Sequence, residues 1–261
     1  MSQATPMRDR FDDETYWWIL DRLCRSHRPV RFTDLKAGLP GGPFFVLRHD
    51  VDYSPAAALR LAALESARGV RATYFLLLNT FHYNLLSPEH ADVARRLVEL
   101  GHEVGLHYDL RFFQSFPRER WEELLDEQAR LLGTLSGVPV ESVALHQPAL
   151  VGEDPLRGRT RFLDAYEDRF FRDMAYISES CRAWRDASWG MLTTGPLPER
   201  FQLVLHPINW AEQDRDRALI FAGVHAELRA RLDDAERDLT EKMARHSGVL
   251  EHEARLGRDP G

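Results

Sequence analysis

Pro43-Phe44-Phe45-Val46-Leu47-Arg48-His49-Asp50-Val51-Asp52 reads as an apolar run that breaks into polar residues at its end. A short, continuous apolar stretch of this kind suits a parallel strand buried on both faces. The turn Ala37-Gly38-Leu39-Pro40-Gly41-Gly42 precedes it. Ser54-Pro55 follows and opens a helix of Ala, Leu and Arg that reaches Arg68, with proline suited to the first helical turn. The segment is therefore strand, polar turn, helix, with His49, Asp50 and Asp52 at the strand's C-terminal end.

The same unit recurs along the chain. Residues 72–78 form a second strand, followed by a polar loop with Asn79, His82, Tyr83 and Asn84 and a helix over 89–100. Residues 103–106 form a strand ending at His107-Tyr108-Asp109, with a helix over 118–135 behind it. The strand over 142–145 ends at His146, and that over 201–205 ends at His206. Strands alternating with helices predict an α/β fold with a parallel sheet and right-handed crossovers. The C-terminal strand ends of such folds share one face, where active sites sit. Four of the 11 histidines, His49, His107, His146 and His206, fall at these ends and mark that face as the predicted site.

Composition narrows the classes. The chain has 261 residues, 44% hydrophobic and 29% charged, as an ordinary soluble protein does. A core of this size folds without a disulfide or a structural metal, so a metal would serve catalysis. A net charge of −7 argues against a general nucleic-acid binder. Cys24 and Cys181 form no motif. No apolar run approaches the length of a membrane span, and residues 1–13 lack the apolar core of a signal peptide. The expected location is the cytoplasm, with no membrane or nucleic-acid partner.

Residues 211–246 are rich in Glu, Asp, Arg and Ala, with Ile220, Val224, Leu228 and Leu232 recurring every four residues and Leu239 and Met243 extending the stripe. This is an amphipathic helix or helical pair, suited to capping the domain or joining copies in a homo-oligomer. Heptads are not sustained enough for a long coiled coil. Three segments are expected: a helical one over 1–31, an α/β domain over 32–210, and the C-terminal helical extension over 211–261.

Asp50 and Asp52 alternate, so in an extended strand both project to one side. Neighbouring carboxylates repel unless a cation sits between them. His107 and His146 could supply neutral nitrogen ligands. Two histidines and one carboxylate with open positions suit zinc, and a similar triad suits iron. Such an ion polarises carbonyls and acidifies water. A second carboxylate off the metal could act as general base, and His206 as general acid. Asp50-Val51-Asp52-Tyr53-Ser54 also fits the Asp-x-Asp-x-Thr/Ser pattern of haloacid-dehalogenase-type phosphatases. Those enzymes need a downstream lysine, and the only one after Asp52 is Lys242, in the C-terminal helix. That reading also leaves the four histidines without a role.

Leu47-Arg48-His49-Asp50-Val51-Asp52, Ala72-Thr73-Tyr74-Phe75 and Gly101-His102-Glu103-Val104-Gly105-Leu106-His107 together resemble the polysaccharide deacetylase superfamily, carbohydrate esterase family four. They are similar to a divergent branch with His-Asp-Val-Asp as its first motif. Tyr176-Ile177-Ser178-Glu179-Ser180 with Trp184, and Leu205-His206-Pro207-Ile208-Asn209-Trp210, carry the likeness as far as residue 210. The resemblance implies a distorted (β/α)7 barrel. It implies a zinc-type hydrolase that removes N- or O-acyl groups from a sugar or glycan-related metabolite. It also implies Asp50 as base, His107 as first metal histidine and His206 as late catalytic histidine. Asp52 would replace the family's metal aspartate, shifted by one position. Arg111 stands where the second metal histidine is expected, so His146 is the substitute and Asp109 the second candidate. His102, on the opposite face of its strand, reads as structural. Substrate contacts are expected from His49, Tyr83, Asn84, Tyr108, Asp109, Glu179, Trp184 and Trp210. Two other functions remain open on sequence: a non-catalytic descendant that binds a glycan or a partner, and a C–N hydrolase of a non-sugar metabolite.

Overall fold

Asp12 starts the first helix: its side chain accepts a hydrogen bond from the Thr15 amide at 2.8 Å. The helix, α1 (Asp13–Cys24), buries Tyr16, Trp17, Ile19, Leu20 and Leu23 in the same core as the sheet. The computed structural model describes residues 8–151 and 154–256, and the chain divides into two units between Arg217 and Ala218.

The first unit is built on the strands β1 (Arg28–Val30), β2 (Phe44–Val51), β3 (Thr73–Leu76), β4 (Glu103–Tyr108), β5 (Ser142–Leu145), β6 (Leu163–Asp164), β7 (Ala175–Ser180), β8 (Ala183–Trp184) and β9 (Arg200–Leu205). They join in one sheet in the order β6-β5-β4-β3-β2-β9-β7-β8, with β1 added alongside β2. Every pairing is parallel except that of β7 with β8. The helices α2 (Pro55–Ala67), α3 (Val93–Glu99), α4 (Leu110–Phe113), α5 (Trp121–Ser136), α6 (Pro148–Val151), α7 (Asp168–Phe171) and α8 (Asp186–Thr193) lie between strands. The fold is α/β, a mostly parallel sheet with helices between its strands, followed by a C-terminal helix.

The main strands and helices form where the apolar runs predict them. The helix expected over 89–100 is shorter, Val93–Glu99, because the polar residues before it make a turn. That expected over 118–135 splits into a 3-10 turn and α5, which Gly137 ends in a left-handed conformation (φ 79°).

Strand alternation divides the sheet's chemistry between its two faces. On β2, Arg48 and Asp50 point one way and His49 the other. His49 Nε2 meets Glu65 of α2 at 2.8 Å, and the Tyr74 hydroxyl donates to the same carboxylate at 2.7 Å. The Tyr16 hydroxyl completes this hub, with His102 Nδ1 3.7 Å away. Glu65, His49, Tyr74 and Tyr16 are buried, so the hub ties α1, α2, β2 and β3 together beneath solvent reach.

The Gly101-to-His107 motif is largely structural as well. His102 bonds the Ala62 carbonyl at 2.9 Å. Glu103 accepts from Ser142 (2.6 Å), Thr73 (2.8 Å) and Thr33 (2.9 Å to its amide), joining three strands and the turn after β1. Gly105 is required by contact. A Cβ there would lie 2.4 Å from the Phe75 ring and 2.7 Å from Ser142 Oγ. Gly105→Ala is therefore expected to cost about 1–3 kcal/mol by overpacking, read as a lower urea midpoint. An unchanged midpoint would contradict the contact.

All but the first residue of α9 (Arg217–Leu256), a single helix of 40 residues where the sequence predicts helix over 211–246, belongs to the second unit. No helix among the described residues is long and apolar enough to cross a membrane.

Candidate metal and acid–base site

Sheet register brings the polar residues together. Asp50 pairs with Phe75, and Phe75 with Gly105. Two residues further along each strand, on the same face, stand Asp52 and His107. His107 pairs with Ala144 on β5, and His146 follows two residues later. His206 comes from the other side: it follows Leu205, which pairs with His49.

The resulting distances are short. His107 Nε2 and His146 Nδ1 each lie 3.4 Å from Asp52 Oδ1 and 3.2 Å from each other. His107 Nδ1 bonds the Ala144 carbonyl at 2.8 Å, which leaves Nε2 facing the aspartates. That is the orienting contact metal-bound histidines usually have. Ligands of a tetrahedral ion at about 2.0–2.1 Å are separated by about 3.3–3.4 Å. Asp52 Oδ1 is buried with no hydrogen-bond partner. Donor types, spacing and the orphaned oxygen all fit a divalent ion such as zinc. Burial would raise the Asp52 pKa, but the close approach of the His107 and His146 rings, and then His206, holds its carboxyl well below the usual range.

Asp50 is fixed differently. Arg48 Nε and Nη2 grip its two carboxylate oxygens at 2.7 and 2.8 Å, a bidentate pair that is almost wholly buried. The guanidinium lies 5.2 Å from the Phe75 ring centre and 4.8 Å from that of Tyr166, whose hydroxyl accepts from Nη2 at 3.0 Å. The absent Cβ of Gly105 gives Phe75 its place under this arginine. Burial alone would raise the Asp50 pKa; Arg48, then His107 and His206, reverse that and keep it ionised. Asp50 Oδ2 lies 3.9 Å from His107 Nε2, close to the triad but outside its short contacts.

His206 completes the group, with Nε2 4.0 Å from Asp52 Oδ2 and its side chain 20% exposed. Glu179 is buried behind it. Its carboxylate accepts from the His206 amide at 2.5 Å and from Asn209 Nδ2 at 2.7 Å, and lies 3.6 Å from His206 Nδ1. Burial would lower the His206 pKa, but Glu179 and then Asp52 and Asp50 push it up to about 10. The imidazole is therefore charged at neutral pH and can donate a proton.

Behind Tyr166, Asp164 of β6 is buried and accepts from the Tyr166 amide at 2.9 Å, while its Oδ2 has no partner. Burial, helped by Asp154 and Glu167, pushes its pKa up to about 7. Unfolded, the group ionises near about 3.9. The folded chain thus binds more protons between those values, and stability falls as pH rises from about 4 to about 7. Asp164→Asn removes this loss. Its gain in Tm over the wild type should grow across that window and level off above it. A gain that is constant with pH would contradict the assignment.

The chain is similar to the family 4 carbohydrate esterases. It matches the Xyl-CE4 domain of a multidomain xylanase from the hindgut metagenome of Trinervitermes trinervoides at 15% identity, covering 74% of this chain and 84% of that one, with a TM-score of 0.45. It matches the peptidoglycan deacetylase PdaC from Bacillus subtilis at 16% identity, over 80% and 98% of the two chains, with a TM-score of 0.42. A family 4 pseudoenzyme from Bacillus anthracis matches at 13% identity over 74% and 63%, with a TM-score of 0.39. No protein-family model and no curated protein matches the chain. At these identities and scores the likeness assigns no activity, and the chemistry rests on the residues themselves.

Asp50, Asp52, His107, His146 and His206 converge, but most expected substrate contacts do not. His49 is wholly buried on Glu65, on the other face of its strand. Trp184 and Trp210 are core residues packed around Phe11, at ring distances of 6.2 and 5.2 Å. The Tyr108 hydroxyl is bound to Asp154, on the face away from His107. Tyr83 is buried and donates to the Val51 carbonyl at 2.5 Å, so it holds the strand end that carries Asp52. Glu179 touches His206 rather than solvent. Asn84 shapes its own loop, accepting from the Leu86 amide at 2.9 Å. Asp109, the second ligand candidate, instead caps α4 through the Arg111 amide at 2.9 Å and pairs with the Arg111 guanidinium. Three residues escaped the sequence reading: Arg48, Tyr166 and Asn209. For Arg48 the signal was present, because residues 48, 50 and 52 share one face of an extended strand.

Proposed function

We propose that this chain is a metal-dependent hydrolase that removes an acyl group, N-acetyl above all, from a sugar or glycan-related substrate. The observation that carries this reading is the Asp52–His107–His146 cluster, spaced at 3.2–3.4 Å, with an ionised Asp50 and a charged His206 beside it. Asp52, His107 and His146 would hold the ion. When bound, a divalent ion supplies Lewis acidity, polarising an acyl carbonyl and acidifying water.

The remaining work falls to the chain's own side chains. Asp50, kept ionised by Arg48, accepts the proton of the attacking water. Arg48 fixes the direction of that carboxylate through two hydrogen bonds. His206 gives its proton to the departing nitrogen or oxygen, and Glu179 stabilises the charged imidazole before the transfer. Base and acid are distinct residues with oppositely arranged environments, a cation beside Asp50 and a carboxylate beside His206, which suits them to opposite roles at neutral pH.

The test has two readings. Purified chain loaded with zinc should hold one ion per chain by elemental analysis, and Asp52→Ala or His146→Ala should lose it. The loaded wild type should then release acetate from a panel of N- and O-acetylated sugars. A chain that binds no divalent ion would overturn the ligand set. Stoichiometric zinc without hydrolysis anywhere on the panel would overturn the acyl-sugar reading and leave the ion site standing.

A further inference from the structure

The second unit carries apolar side chains left open to water. Leu232, Leu239 and Met243 of α9 are 69%, 59% and 63% exposed, and all residues from 232 to 246 are exposed around the whole helix. A helix in that state is held by propensity and ion pairs along its surface. Lys242 with Asp238 and Arg245 with Glu241 are such pairs, but they give the leucines no reason to be there.

Leu228, Leu232, Ala235 and Leu239 follow one another at spacings of four, three and four. That is a seam of two heptads with apolar residues at the a and d positions. His225 and Lys242 occupy the next seam positions on either side and end it. Charge along the segment is uneven. Arg229 and Arg231 lie at its start, whereas Asp233, Asp234, Glu236, Asp238 and Glu241 follow with Arg237 as the one cation among them.

We infer that α9 pairs with α9 of a second copy of this chain, antiparallel, about a two-fold axis between Asp233 and Asp234. This alignment sets Leu228 against the partner's Leu239 and Leu232 against the partner's Ala235. Each contact occurs twice, as an isologous interface requires. It also brings Arg229 beside the partner's Glu236, and Arg231 beside the partner's Asp238. The parallel alternative stacks acidic segment on acidic segment, Lys242 on Lys242, and Ala235 on Ala235 with a gap between. Two heptads lie at the low end of interface sizes, so the dimer is weak and depends on concentration.

Sedimentation of the full chain tests this. The wild type should show a monomer–dimer equilibrium. Leu232→Glu combined with Leu239→Glu should abolish the dimer and leave the unfolding temperature of the first unit unchanged, because both side chains already face solvent. Arg229→Glu should weaken dimerisation by about tenfold, since two flanking pairs turn repulsive. Adding Glu236→Arg to it should restore the wild-type constant. Three results would each overturn the proposal: a wild type that stays monomeric into the hundreds of micromolar, a dimer indifferent to Leu232 and Leu239, or no rescue by the reversed pair.

Discussion

Asp50→Asn should lower kcat on any acylated substrate the chain hydrolyses by roughly 10²–10⁴-fold, the usual contribution of a general base. Bound zinc should stay stoichiometric, because Asp50 stands outside the short contacts of the triad. The amide oxygen can still accept from Arg48, but it carries no charge and cannot take a proton. The substitution also leaves the guanidinium buried without its counter-charge. Breaking such a pair costs up to about 3–5 kcal/mol, and the surviving hydrogen bond reduces that loss. Activity must therefore be compared at a temperature where circular dichroism shows both proteins folded. Adding Arg48→Met separates the two effects: the double variant should regain stability and remain inactive. A kcat for folded, zinc-loaded Asp50→Asn close to the wild-type value would sink the assignment of the base.

The contrast between Asp50 and its neighbour shows how far the sequence could be read. The parallel sheet was legible because each main strand is an apolar run, and the site because histidines gather where those runs end. Asp52, His107 and His146 meet for that reason alone: strand ends in one sheet must lie side by side. The two-residue strands β6 and β8 carry no such pattern, since their position is set by neighbours already in place. Trp184 and Trp210 look like sugar-binding surfaces in isolation, yet their contacts with Phe11 come from segments about two hundred residues apart in sequence, as Phe11 and Trp210 show. His49 was misread for a simpler reason. Grouped with Asp50 and Asp52 by adjacency, it is separated from them by strand alternation, which sends it through the sheet to α2. The partner it finds there was also readable. Glu65 is the lone acid on the stripe Ala58, Leu61, Ala62 that α2 turns inward.

That placement sets the second large effect. Glu65→Ala should destabilise the chain by about 5 kcal/mol, most of the stability of a marginal domain. The carboxylate is the acceptor for Tyr74 at 2.7 Å, His49 at 2.8 Å and the Tyr16 hydroxyl, all buried. Each donor left without a partner costs about 1–3 kcal/mol, and the vacated volume adds a cavity. Glu65→Gln keeps the acceptor oxygen and should lose much less. Its amide must still sit among hydroxyl donors, so some cost remains. Urea unfolding followed by tryptophan fluorescence would rank the two. Zinc affinity of the folded variants should stay at the wild-type value, since the hub lies on the far face of β2 from Asp52. Wild-type stability in Glu65→Ala would mean the hub holds nothing together. Loss of zinc in a folded Glu65→Gln chain would mean that the two faces of the strand are not independent, and that His49 reaches the site through the strand after all.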